Sequence, residues 1–315
     1  MGMLEVFSGT LEVTLPVFAM VLMGILLKRV GWIDQAFVAT ASFLVFKGTL
    51  PVLIFLSIIE ADLDATLNPQ LLGFFALATL GCFLVAWGWA VLRVPRPERG
   101  VYVQGAFRGN CGIVGLALAA GMYGHFGLST AGLLLGVVIV TYNVFSVIVL
   151  AAYQPNRNAD WRHIASHIAR NPLILAVIIA VPVAASGVSL PAWLKTSGEY
   201  FASLTLPLAL ICIGATLSLG ALQRSGSLAL GASLMKMVTL PLLATAAAVL
   251  AGFSGPELGV LFLFFASPTA AASFVMVKAM GGNAVLTANI IAITTLLASL
   301  TITLGLFLLR LTGLV

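Results

Sequence analysis

Carboxylates are scarce in this chain: Asp and Glu supply 10 of 315 residues, and within the long apolar runs they stand only near one end, as Glu12 and Glu257. The apolar runs contain no histidine. Proton relays across membranes commonly use buried Asp, Glu or His, so this pattern argues against proton coupling. Without a carboxylate dyad or a nucleophile beside a base in those runs, intramembrane enzymatic chemistry is also disfavoured. Cys82, Cys111 and Cys212 all fall within apolar runs and imply neither a disulfide framework nor a metal site. His163 and His167 share an i, i+4 spacing that could hold a metal, yet no third ligand lies nearby, and an interfacial helix is the better reading. No phosphate loop, dinucleotide fingerprint or HExxH motif is present, which disfavours ATP-driven transport and cofactor chemistry.

What the chain has is hydrocarbon. Hydrophobic residues make up 61% and charged residues 8%, and the mean hydropathy is +1.14. That is the composition of an all-α integral membrane protein. A crossing takes about 20 mostly apolar residues. Ten such segments are expected, at 10–27, 36–59, 70–92, 101–122, 130–152, 172–187, 201–219, 227–252, 257–279 and 284–309. The opening residues carry Glu5 and Glu12 and no Lys or Arg, the wrong start for a cleaved signal.

The net charge of +5 points to the membrane rather than to nucleic acid once its placement is read. Loops after segments 1, 3, 5, 7 and 9 hold Lys28, Arg29, Arg93, Arg96, Arg99, Arg157, Arg162, Arg170, Arg224 and Lys278. The opposite loops hold only Lys195 and Arg310. The positive-inside rule then places both termini outside a multi-pass protein of the cell inner (plasma) membrane. Lys47, Arg108 and Lys236 are left as the cations within segments.

An internal repeat is visible. Pro16 and Pro51 stand 35 positions apart, as do Pro172 and Pro207, and the second pair follows the first by 156. Gly31 maps by the same offset onto Gly187, and Phe107 is answered by Phe265. Five segments per half is an odd number, so the second half is inserted upside down. The expected organisation is a first five-helix repeat over 1–152, a cytoplasmic linker over 153–171 and an inverted repeat over 172–315. Trp161, Ile164 and Ile168 with Arg162, His163 and Arg170 suggest that the linker is an amphipathic interfacial helix; residues 189–200 suggest another outside.

Two segments are interrupted. Arg108-Gly109-Asn110-Cys111-Gly112 and Ser267-Pro268-Thr269 place a charge, an amide and helix breakers at membrane depth. Lipid leaves freed backbone groups unsatisfied, so such breaks persist where they line a cavity, and corresponding breaks in two halves point to a binding site. Gly109, Gly112 and Pro268 are read as the residues that permit the breaks. Half-helix N-termini bind anions through free N–H groups and the macrodipole. Asn110 offers both donors and acceptors for a carboxylate, and Ser267, Thr269 and Ser273 could complete the site. Arg108 is either a substrate contact or an anchor for the break. Lys236 and Lys47 are either substrate attractors or snorkelling side chains. Cys111 reads as a small residue beside the break, and no metal site is expected.

The stretches "LPVFAMVLMGILLKRVGWID", "LVFKGTLPVLIF", "FRGNCGIVGLALA", "TYNVFS" and "ASPTAAASFVM" run from end to end of the chain and resemble a bacterial member of the auxin efflux carrier family, within the bile acid:sodium symporter-like group. The resemblance implies a scaffold of segments 1, 2, 6 and 7 and a mobile core of 3–5 and 8–10. It implies that helices 4 and 9 cross near the midplane and that a homodimer could form through scaffold helices 2 and 7. It carries a substrate-contact role onto Asn110 and, as a neighbouring contact, Asn143; the residues themselves leave Asn143 open as interhelical glue. The linker is much shorter than in many plant carriers.

The expected function is alternating-access movement of a small organic carboxylate anion, auxin-like or dicarboxylate, in the export direction and without a cofactor. Sodium coupling is the first alternative, with Thr294, Thr295, Ser299 and Thr301 as further oxygen ligands. A ligand-sensing membrane receptor is the alternative from another class.

Overall fold

The computed structural model describes residues 3–60, 68–153, 170, 172–187, 190–217 and 226–315. The expected linker helix, with Trp161, His163 and His167, lies outside the described residues apart from Tyr153 and Arg170. The first half builds α1 (Met3–Arg29), α2 (Gln35–Leu44), α3 (Leu50–Ile59), α4 (Pro69–Arg93), α5 (Arg99–Phe107) and α6 (Leu116–Tyr153). The second builds α7 (Pro172–Ala185), α8 (Ala192–Ser203), α9 (Thr205–Thr216), α10 (Ser227–Leu234), α11 (Leu240–Leu250), α12 (Gly255–Ala266), α13 (Ala272–Ala279) and α14 (Ala284–Leu311). Among the described residues no strand is present, and seven helices are long and apolar enough to cross a membrane. Two further apolar helices, Pro172–Ala185 and Gly255–Ala266, are shorter. The protein is an all-α integral membrane protein.

Proline sets several of these boundaries. A wide π turn, Val45–Thr49, joins α2 to α3 just before Pro51; another, Met235–Thr239, joins α10 to α11 just before Pro241. Proline lacks an N–H and its ring crowds the carbonyl four residues back, and a widened turn relieves both. Side-chain caps start other helices: Asp34 accepts from the Phe37 N–H at 2.7 Å and Asn283 from the Leu286 N–H at 3.0 Å.

Two expected segments, 101–122 and 130–152, run together in a helix of 43 residues, Cys111–Tyr153. At 1.5 Å per residue such a rod is about 65 Å long, twice the roughly 30 Å of hydrocarbon. The turn back falls at Gly124, whose φ of 55° and ψ of −132° suit a residue without Cβ. The seventh segment starts earlier than expected: α8, thought to be interfacial, runs into α9 as one apolar stretch, Ala192–Thr216.

The packing joins helices from both halves, and contacts of α1 with α14 and of α3 with α6 tie α1–α3 to the helices around the breaks. α1 lies against α9, α2 against α9, and α3 against α7 and α8. Around the chain breaks, α4, α5 and α6 pack on one another, α6 and α11 on α12, and α14 on α10 and α13. The α1–α9 crossing is close: a Cβ on Gly24 would overlap the Ile211 carbonyl, and one on Gly214 the Val21 carbonyl. Small residues permit such approach between membrane helices. Gly214→Leu is therefore expected to cost at least about 1–3 kcal/mol, through overpacking, and to lower the melting temperature in detergent.

Contacts near the helix ends sort the two ends of the bundle. At one end Phe7 meets Phe307, Arg310 donates to Thr10, Asn68 donates to Glu257, and Lys195 pairs with Glu60 at 3.0 Å. At the other, Asn283 donates to Glu98 and Lys28 to the Ala215 carbonyl.

Candidate functional site: two broken helices joined by their backbones

α5 ends at Phe107 and α12 at Ala266, and the chain after each leaves helical geometry. The two extended segments meet as an antiparallel pair, Gly109 opposite Thr269. Asn110 N–H donates to the Pro268 carbonyl at 2.6 Å, and Ala270 N–H donates to the Arg108 carbonyl at 3.0 Å. Each break satisfies the other, as groups cut off from water must be. Aromatic rings fix both helix ends: Phe107 against Phe83 (5.2 Å between centroids) and Phe265 stacked on Phe75 (4.9 Å).

Two glycines stand beside the pair. Neither Gly109 nor Gly112 has positive φ, so backbone freedom is not their contribution. At Gly109 a Cβ would stand 2.5 Å from Ser267 Oγ and 3.0 Å from Lys236 Nζ, and the requirement is for space. At Gly112 a Cβ would make ordinary contact with Leu135. Pro268 lacks an N–H and contributes only its carbonyl to the pair.

Two of the three in-segment cations converge here, and neither snorkels. Lys236 is 2% exposed and donates to the Phe265 carbonyl at 2.9 Å, a cation at the C-terminal end of α12. Arg108 is 8% exposed. Its guanidinium reaches Ser146 Oγ (3.1 Å), Asn143 Oδ1 (3.1 Å) and Met276 Sδ (3.2 Å). Among the described residues neither cation forms an ion pair. Lys47 is exposed on the π turn that packs on α7, α8 and α9, away from the crossing.

The remaining candidates gather around the pair. Asn110, partly exposed, caps the turn Cys111–Gly115 with its carbonyl, while its side chain makes no capping bond. The first N–H groups of that turn have no intrahelical acceptor. Asn143 holds Arg108 with its oxygen and donates to the Ile139 carbonyl at 2.8 Å. Ser267 donates to the Phe264 carbonyl at 2.8 Å and Thr269 to the Gly105 carbonyl at 2.7 Å. Ser273 is fully buried with no partner for its hydroxyl. Thr294 alone of the four residues offered as sodium ligands touches the crossing, accepting from the Thr269 N–H at 3.1 Å.

Sequence reasoning passed over three contributors. Cys111 sits within 3.3 Å of the Phe264 carbonyl and near Ser267 and Tyr142, and so ties α12 to the first break. Ser146 and Met276 hold Arg108. Ser146 lay within the quoted "TYNVFS" stretch; nothing local marked Met276.

A family model described as "Membrane transport protein" matches residues 10–306. An uncharacterized transporter of Methanocaldococcus jannaschii is 25% identical over 303 residues, covering 93% of this chain and 97% of its own. An uncharacterized transporter of Methanothermobacter thermautotrophicus is 25% identical over 274 residues, covering 84% and 87%. The chain belongs to the membrane transport protein family, that of the auxin efflux carriers.

Proposed function

We propose that this transporter carries small organic carboxylate anions, auxin-like or dicarboxylate, by alternating access at the crossing of the two broken helices. The observation that carries the reading is the pair of buried cations, Arg108 and Lys236, without a carboxylate among the described residues to neutralise them. Isolated buried charge costs several kcal/mol, and an anionic substrate relieves it. Asn110 is the partly exposed amide beside them and the first residue we expect a substrate to touch.

The topology behind this is ten crossings in two inverted repeats, 1–152 and 172–315. The matching breaks, the matching aromatic anchors Phe107 and Phe265, and the pairing of loops at two ends support it. α1–α3 and α7–α9 form the scaffold, and the remaining helices form the core that moves against it. The end bearing Lys28, Arg93, Arg99 and Lys278 faces the cytoplasm of a cell bounded by this plasma membrane, and both termini face out. A homodimer would join through α2–α3 and α8–α9.

Export of an anion down an inside-negative potential gains about 2.3 kcal/mol per charge per 100 mV and needs no coupling ion. The test is ligand-evoked current from purified protein in proteoliposomes on a solid-supported membrane, with indole-3-acetate, benzoate and malate as probes. We expect a saturable negative-charge current that persists without sodium and is lost in Asn110→Ala. A current that needs sodium moves the assignment to a sodium-coupled organic anion symporter, with Thr294 the residue to examine. Saturable binding with no current from any acid favours a ligand-sensing receptor.

A further inference from the structure

We infer that Met276 occupies a carboxylate subsite built by Arg108, Gln104 and Ser273, and that the transported anion takes the place of its sulfur. The inference rests on the organic-anion reading above and adds where the carboxylate lodges. Gln104 and Ser273 are fully buried, and Arg108 is nearly so. Gln104 and Arg108 lie four residues apart at the end of α5, and Ser273 and Met276 three apart on α13. Ser273 and Met276 therefore share a helical face, while Arg108 caps the helix end that carries Gln104 and meets the same sulfur.

The donors are spent on a poor acceptor. Arg108 Nη1 and Gln104 Nε2 each point at Met276 Sδ from 3.2 Å. A thioether accepts hydrogen bonds weakly. Three buried polar atoms of these side chains have no partner: Arg108 Nε, Gln104 Oε1 and, one turn before Met276 on α13, Ser273 Oγ. A guanidinium held from behind by Ser146 and Asn143, an amide donor and a free hydroxyl make a nest for a carboxylate. Charge-assisted bonds to it are roughly twice as strong as neutral ones. Met276 is partly exposed and has the most adaptable of apolar side chains, and so can swing out.

The role separates from simple packing by the sign of its effect. A methionine that merely fills space weakens the site when truncated; one that competes with the ligand strengthens it. Half-saturating concentrations of indole-3-acetate, benzoate and malate are measured in the same current assay on the full chain. We expect Met276→Ala to lower the value for at least one acid several-fold. Met276→Leu, which keeps the volume and removes the acceptor, should shift it the same way. Ser273→Ala and Gln104→Leu should each raise it about tenfold, the worth of one bond to a charged group. A current that needs Asn110 yet ignores position 276, or weakens on its truncation, overturns the inference and leaves the carrier reading standing. A wild type that no acid activates overturns both.

Discussion

Lys236→Met is expected to abolish anion-evoked current while raising the melting temperature of the detergent-solubilised protein. The two effects have one origin. The ammonium is 2% exposed, has the Phe265 carbonyl as its hydrogen-bond partner, and forms no ion pair among the described residues. Burial of an ion costs several kcal/mol even after relaxation. One charge-assisted bond returns about 1.5–3 kcal/mol, and the negative end of α12 up to about 2 more. Methionine fills similar volume without the desolvation penalty, so a net gain of about 1–2 kcal/mol is expected, or roughly 2–8 °C. Transport falls because the anion loses its partner. In a thermal-shift experiment the effective acid should stabilise the wild type and leave the variant unmoved. A melting temperature that falls together with transport would make Lys236 a structural cap for α12.

Gly109→Val should be the most disruptive single change at the crossing. The first added carbon would stand 2.5 Å from Ser267 Oγ and 3.0 Å from Lys236 Nζ, and valine brings two more. Overpacking costs about 1–3 kcal/mol, and each backbone bond lost from the bridge strands buried groups at about 1–3 kcal/mol. With both bonds lost the total, about 3–9 kcal/mol, is a large part of a typical folding free energy, so little monodisperse protein should survive size-exclusion chromatography. Gly112→Ala is the control: its Cβ meets only Leu135 at 3.5 Å, and yield should be unchanged.

These residues also mark how far the sequence can be read. A charge and a proline interrupting apolar runs are visible because lipid makes them costly, and the structure joins those two interruptions. Lys47 and Lys236 were indistinguishable by composition, each standing just before Thr-Leu-Pro. Lys47 precedes its proline by four residues and Lys236 by five. One residue turns a helix by roughly 100°, and one lysine ends exposed on the scaffold side while the other is buried at the crossing. Which face is buried depends on neighbours far along the chain, and no local pattern states that. The same holds for Met276 and Cys111, whose partners lie more than 150 positions away. Gly24 and Gly214 likewise look ordinary until the opposing backbone is in place.

The backbone pair has a consequence for how the protein is made. The Asn110 amide finds its acceptor 158 positions later, at Pro268, and the Arg108 carbonyl waits for Ala270. At about 5–20 residues per second, ribosomes leave roughly 8–30 s between the two. Throughout that interval the first half carries an unclosed break after α5. A nascent half-protein must therefore satisfy those two backbone groups with borrowed partners until its own second half arrives to close the break.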